Sequence, residues 1–167
     1  MSLLYEFTAN KETKTIHITR EFAASLELVW DAWTKPEILD QWFAPKPFRA
    51  ETKEMDFREG GRWIYSMVSP ENTVRGYSLT EFIRIDPRSS FHTRNSFCDE
   101  NGNPINNVFS LTTNSFRSRG EITTVHIEKK FDDLAALETM ITMGYKEGLA
   151  MALSNLDEYF LSLVTSN

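Results

Sequence analysis

From Thr15 to Phe22 the chain alternates, with Ile16, Ile18, Arg20 and Phe22 on one side and Thr15, His17, Thr19 and Glu21 on the other. This is the two-residue period of a half-buried strand. The period then changes: Ser25 is a good N-cap with Leu26, Val29, Trp30 and Trp33 at helical spacing behind it, which predicts a short helix to about Thr34. Pro36 suits the first turn of a second short helix, whose apolar face is Ile38, Leu39, Trp42 and Phe43 and which Pro45 and Pro47 close. From Phe48 the two-residue period returns. Turn signals recur at Glu59-Gly60-Gly61, Ser69-Pro70-Glu71-Asn72, Asp86-Pro87-Arg88-Ser89, Asn101-Gly102-Asn103-Pro104 and Ser118-Arg119-Gly120. They predict hairpin-linked strands over Phe48 to Phe57, Arg62 to Val68, Thr73 to Ile85, Ser90 to Cys98, Asn106 to Phe116 and Glu121 to Phe131. A proline-free helical pattern follows from Asp132 or Asp133 to about Leu163. About 30 helical residues reach roughly 45 Å, enough to cross a whole sheet.

The layout predicts an α+β architecture in which a sheet grips a helix. A curved antiparallel sheet of about seven strands wraps a long C-terminal helix, two short helices follow the first strand, and residues 15–163 form one domain behind an N-terminal extension at 1–14. A bent sheet gripping a helix leaves space between them, which is the natural pocket. Strand phase nominates its lining: Trp63, Tyr65 and Met67; Phe91, Thr93, Asn95 and Phe97; Phe109 and Leu111; Val125 and Ile127. Glu81 shares an apolar face with Tyr77, Leu79, Ile83 and Ile85. Pointing inward it would need a donor or its proton, and would anchor a ligand; a bulge that flips the phase would send it to solvent and put Phe82 inside. Arg20, on an apolar face, either reaches an edge or pairs with Glu81. Trp30, Trp33, Trp42 and Phe43 fill the core or line a pocket mouth, and Met140, Met143 and Met151 form an adaptable wall or plain core. Gly144 and Gly148, four apart, cost helix stability that close packing or room for a ligand would explain, while Gly60-Gly61 supply positive φ in a hairpin. The expected ligand-contacting set is Trp33, Trp42, Trp63, Tyr65, Glu81, Phe91, Asn95, Phe97, Phe109, Met140 and Gly144.

Composition narrows the partners. Twelve Phe, five Tyr and four Trp are a large rigid apolar surface for 167 residues. With 24 acidic against 18 basic residues, a net charge of -6 and no Lys/Arg run, neither nucleic acid nor an acidic membrane surface is expected. Cys98 stands alone, which rules out an intrachain disulfide and fits a reducing compartment. No signal-peptide pattern and no apolar run of membrane-spanning length appear, so a cytoplasmic location is expected. His17, His92 and His126 fall on three strands without metal-ligand spacing, and neither a nucleophile-elbow motif nor a glycine-rich strand-to-helix turn is present. No metal, cofactor or catalytic group is therefore expected.

Three stretches carry a resemblance. The first is Ile16, Ile18, Arg20, Phe22, Ala24, Val29-Trp30, Ala32-Trp33-Thr34, Pro36-Glu37, Leu39, Trp42 and Pro45; the second is Asp56, Arg58 and Gly60-Gly61-Arg62-Trp63; the third is Gly144, Gly148, Leu149, Leu153, Leu156 and Tyr159. Together they resemble the heat-shock-protein ATPase activator C-terminal-domain-like family of the SRPBCC, or START-like, helix-grip superfamily. Ala24-Ser25 stands where that family often has proline, and Leu149 where it often has Trp. The expected function is non-catalytic binding of a small hydrophobic or aromatic ligand between sheet and helix. The resemblance also implies two alternatives: a co-chaperone-like protein that stimulates a heat-shock ATPase, and a cyclase- or aromatase-type enzyme that would use Glu81 and Tyr65 as its acid and base.

Overall fold

In the computed structural model, which describes residues 3–106 and 108–165, the chain runs β1 (Tyr5–Asn10), β2 (Thr15–Phe22), α1 (Leu26–Thr34), α2 (Pro36–Trp42), β3 (Arg49–Met55), β4 (Arg62–Val68), β5 (Arg75–Asp86), β6 (Ser90–Cys98), β7 (Ser110–Arg119), β8 (Ile122–Phe131), α3 (Leu134–Thr142) and α4 (Tyr145–Thr165). Asn107, within the expected range of one strand, and Met1 and Ser2, within the expected extension, lie outside the described residues. The strands form one antiparallel sheet in the order β1-β2-β8-β7-β6-β5-β4-β3. The eighth strand is β1, which the sequence pattern left in the extension. Its residues are mostly exposed and it pairs with β2 at the sheet edge, from Tyr5 opposite Arg20 to Asn10 opposite Thr15. The alternation of Tyr5, Phe7 and Ala9 with Glu6, Thr8 and Asn10 was there to be read, although only Phe7 is half-buried.

The helices cover one face of the sheet. Ser25 caps α1 by accepting from the Leu28 amide, and Asp133 caps α3 by accepting from the Ala136 amide at 2.7 Å. Trp42 is buried and donates its indole N–H to the Ala32 carbonyl at 2.9 Å, locking α2 onto α1. Asn155 of α4 donates to the Ala44 carbonyl at 2.9 Å and so ties the long helix to the chain just after α2. The core between these helices and the sheet is largely aromatic. Trp30 meets Phe57, Phe91 and Phe116 edge-on, and Phe22 meets Trp33 and Phe160 in the same way.

The expected single C-terminal helix is two helices. Gly144 sits at φ +91°, in the left-handed region, and there the helical ladder ends and restarts. Gly144 therefore serves the break, and neither close packing nor ligand room is its reason. At Gly148, inside α4, an added Cβ would meet only the Pro45 Cγ at 3.7 Å, an ordinary contact. The two glycines should respond oppositely to alanine. Gly148→Ala is expected to stabilise by about 0.5–1 kcal/mol through helix propensity, and Gly144→Ala to cost about 1–2 kcal/mol through left-handed strain. Urea midpoints of the two variants check this, and equal signs would contradict it.

Candidate functional site

Cross-strand register turns the helix-covered face into rows. One row runs Trp63, Thr80, Asn95, Ser110 and Phe131; the next runs Phe82, Thr93, Thr112, Lys129 and Ile16. Apolar side chains close both ends of this patch, and its middle is polar. Asn95 is the hub. Its amide nitrogen donates to the Thr80 hydroxyl at 3.1 Å, and its oxygen accepts from the hydroxyls of Thr112 at 2.6 Å and Thr93 at 3.2 Å. Those two acceptances use both lone pairs of the amide oxygen, while one amide hydrogen is left over.

Lys129 stands beside this hub. Its ammonium reaches the Thr112 hydroxyl at 3.5 Å and lies 5.9 and 6.0 Å from the ring centroids of Phe131 and Tyr145. Among the described residues no carboxylate pairs with it. Burial alone lowers its pKa from 10.5 to about 8, because a low-dielectric surrounding disfavours the charged form. Tyr145, at the start of α4, packs on Phe7, and its phenol is pushed up, first by burial and then by the neighbouring Tyr65 and Tyr5. Tyr65 stacks on Trp63 at 4.0 Å, and its phenol rises to about 12 by burial, an effect partly offset by a hydrogen bond with Ser78. Lys129 and Tyr145 are enclosed by protein yet keep part of their surface accessible.

Of the residues nominated from sequence, Trp63, Tyr65 and Asn95 do share this face, and Met140 of α3 packs half-buried against the core beneath it. Trp33, Trp42 and Phe91 are packed among other rings. Phe97 belongs to the same face by alternation but lies at the end of β6, 47% exposed.

Two expectations are corrected and one open alternative, at Arg20, is decided. Glu81 points outward, between Arg62 and Arg94 on the neighbouring strands, and Phe82 is inside; the register shift follows at Phe82/Arg84 and returns Ile85 to the core side. Arg20 pairs with Asp157 of α4, not with Glu81. Phe109 lies outside β7 with the Arg94 guanidinium 3.6 Å from its ring centre, and Leu111 is outward and 49% exposed, because β7 directs Ser110, Thr112, Asn114 and Phe116 inward. The misleading apolar positions have their own cause. Ile64, Leu79 and Cys98 form a second small core on the outer face with Tyr77, covered by the turn Asp99–Pro104, where a Cβ on Gly102 would come within 2.7 Å of the Ile64 side chain. Burial, then the Asp99 charge, pushes the Cys98 thiol up, so it is not an activated nucleophile.

Two open grooves lie away from the polar patch. One, about 400 Å³, is bounded by Tyr5 and Arg20 on the sheet edge and by Leu153 and Asp157 on α4; the other, about 390 Å³, is on the outer face around Gly60, Glu81 and Arg94. The structure also gathers residues the spacing had kept apart. On the outer face, ligand atoms of His17, His126 and Glu128 lie within 4.8 Å of one another, with the Thr19 hydroxyl 3.0 Å from the His126 Nδ1. Two imidazoles and a carboxylate are a donor set suited to a transition-metal ion. Adjacent strands place them together although sequence distance hides it.

Lys129 and Tyr145 are the site residues that sequence reasoning missed. The signal was present for the lysine: it continues the alternation Val125, Ile127, Lys129, Phe131. A lone cation in an otherwise apolar phase was there to be read.

Comparison with known proteins follows from this geometry. Protein Ms6760 from Mycobacterium smegmatis is 25% identical, with a TM-score of 0.86 over 97% of this chain and 99% of its own. A protein from Staphylococcus epidermidis is 26% identical, with a TM-score of 0.79 over 90% and 92% of the two chains. The AHSA1 protein from Silicibacter pomeroyi, 18% identical over 88% and 97%, shares the fold at a TM-score of 0.70. No curated protein matches the sequence. Residues 23–161, most of the chain, match the family described as "Activator of Hsp90 ATPase homolog 1-like protein", and the chain belongs to that family.

Proposed function

We propose that this protein is a non-catalytic carrier or sensor of a small, mostly apolar molecule held between the inner sheet face and the helices α3 and α4. The observation that carries the reading is the polar patch in the middle of the helix-covered face, where half-buried Lys129 stands beside the Asn95 hub with its ammonium 6.0 Å from the ring of Tyr145 on α4. A hydrogen-bonded polar hub beneath aromatic and methionine walls is the usual composition of a small-molecule site, in which few polar groups orient a largely apolar guest. The two groups named for acid-base chemistry, Glu81 and Tyr65, are poorly placed for it. Glu81 faces outward, and the Tyr65 phenol, near 12, holds its proton throughout the physiological range.

The neutral apolar dye N-phenyl-1-naphthylamine tests the reading. Its fluorescence is expected to rise saturably on binding, and Met140→Trp, which fills the wall of the space from α3, is expected to weaken that binding by about tenfold or more. Undiminished binding to a folded Met140→Trp variant would place the dye elsewhere and contradict the proposal.

A further inference from the structure

The donor and acceptor inventory of the inner face is unbalanced. The Asn95 oxygen is fully used by the Thr112 and Thr93 hydroxyls. Donors remain. The second amide hydrogen of Asn95 has no partner among the described residues, the Lys129 ammonium has three hydrogens and a single long contact to Thr112, and the Tyr145 hydroxyl makes no hydrogen bond among the described residues. One of these donors carries a full positive charge without a counter-ion. A buried cation left this way is costly, and in stable sites it is matched by an anion. The nearest cross-strand and helical neighbours of Lys129 are Thr112, Ile16, Phe131 and Tyr145, none of which supplies one.

We infer that the ligand of this domain is an organic acid: an apolar chain or ring system with one carboxylate, which seats against the Lys129 ammonium while its apolar body lies along the aromatic and methionine walls. The carboxylate brings the acceptors the site lacks, from Lys129 first and from the Tyr145 hydroxyl and the free Asn95 hydrogen within the same patch. The guest's body contributes burial, and its head fixes polarity and orientation. The inference rests on the proposal that the interior is a ligand site, and it adds the charge and class of the guest.

Matched probes separate the two. Dodecanoate and dodecanamide, and 2-naphthoate and 2-naphthamide, differ within each pair almost only in the charge of the head group. Isothermal titration at neutral pH is expected to show at least one acid binding about tenfold or more tighter than its amide. Lys129→Met should weaken the acid by about tenfold or more and the amide by much less, closing most of the gap between them, and a cooperative urea transition reports that the variant is folded. If acid and amide bind the wild-type protein equally, the guest is not selected as an anion and this inference falls, although the interior site stands. If neither member of either pair binds, the interior site falls with it. The wild-type comparison decides the matter even if the variant does not fold.

Discussion

Lys129→Met is expected to make the protein more stable at neutral pH, by about 3 kcal/mol. Burial moves the ammonium from 10.5 to about 8, and each pKa unit corresponds to about 1.4 kcal/mol of preference between protonation states. Below pH 8 both the folded and the unfolded chain carry the proton, so the whole cost of enclosing the charge is present. Between pH 8 and 10.5 the unfolded chain binds more protons than the folded one, and stability contributed at this site rises with pH. The advantage of methionine is therefore full below pH 8, shrinks across that window and is mostly gone at its upper end. Tyr65 and Tyr145, whose phenols are pushed up, lower stability as pH rises above their unfolded values, but they do so equally in both chains. Guanidinium midpoints of wild type and variant at pH 7 and pH 10 give the difference directly. A variant less stable than wild type at pH 7, or a gain that does not change with pH, would contradict this account of Lys129.

The turn ahead of β4 should hold the least forgiving glycine among the described residues. Gly61→Ala would put a Cβ 2.1 Å from the Asp56 carbonyl oxygen and 3.1 Å from that of Arg58, both backbone atoms with no flexible end to swing away. The same residue fixes the neighbouring strand, since its amide donates to Arg58 at 2.8 Å and its carbonyl accepts from Phe82 at 3.0 Å. Relief of the clash would move β4 and with it Trp63 and Tyr65. A loss of about 3 kcal/mol or more is expected. Gly60→Ala, where a Cβ meets nothing but φ is +84°, should cost only about 1–2 kcal/mol. Urea unfolding of the two variants checks the order, and a Gly61→Ala variant within 1 kcal/mol of wild type would show the turn to be softer than its geometry implies. The sequence reading expected positive φ at both glycines; in the structure Gly60 needs it, and Gly61 is required for close approach instead.

Most of the architecture was legible because local signals agreed with one another. Ser25, Pro36 and Asp133 mark helix starts where the chain uses them, and β2, β4 and β6 have the bounds their alternation predicts. The failures have physical causes. Edge strand β1 does alternate, Tyr5, Phe7 and Ala9 against Glu6, Thr8 and Asn10, but it is short and only Phe7 is half-buried, and the reading passed it over. In β7 the period was visible but its phase was taken the wrong way round, and in β5 both phases were left open. Tyr77 and Leu79 belong to the small outer core, and the inward positions Thr80, Thr112 and Ser110 are polar because they build the network around Asn95. A rule that sends apolar residues inward inverts where a sheet buries apolar surface on both faces and keeps a polar patch in its middle. The site was thus half legible. Tyr65 and Asn95 were found by phase, Glu81 was weighed as an interior charge while Lys129 was passed over, and Tyr145 passed as one more apolar helix residue. At Gly144 a strong helical pattern on both sides concealed a break that only its φ reveals.

Whether a guest occupies the inner face can be read residue by residue. Methyl-labelled Ile, Thr and Met resonances followed during titration with dodecanoate should show the largest shifts at Thr112, Thr93, Met140 and Ile16, the positions around the enclosed lysine. Shifts confined to Leu3 and Leu153 beside the edge groove, or to Ile83 on the outer face, seen with Leu methyls labelled in the same sample, would put the guest outside the sheet–helix interior and overturn the account.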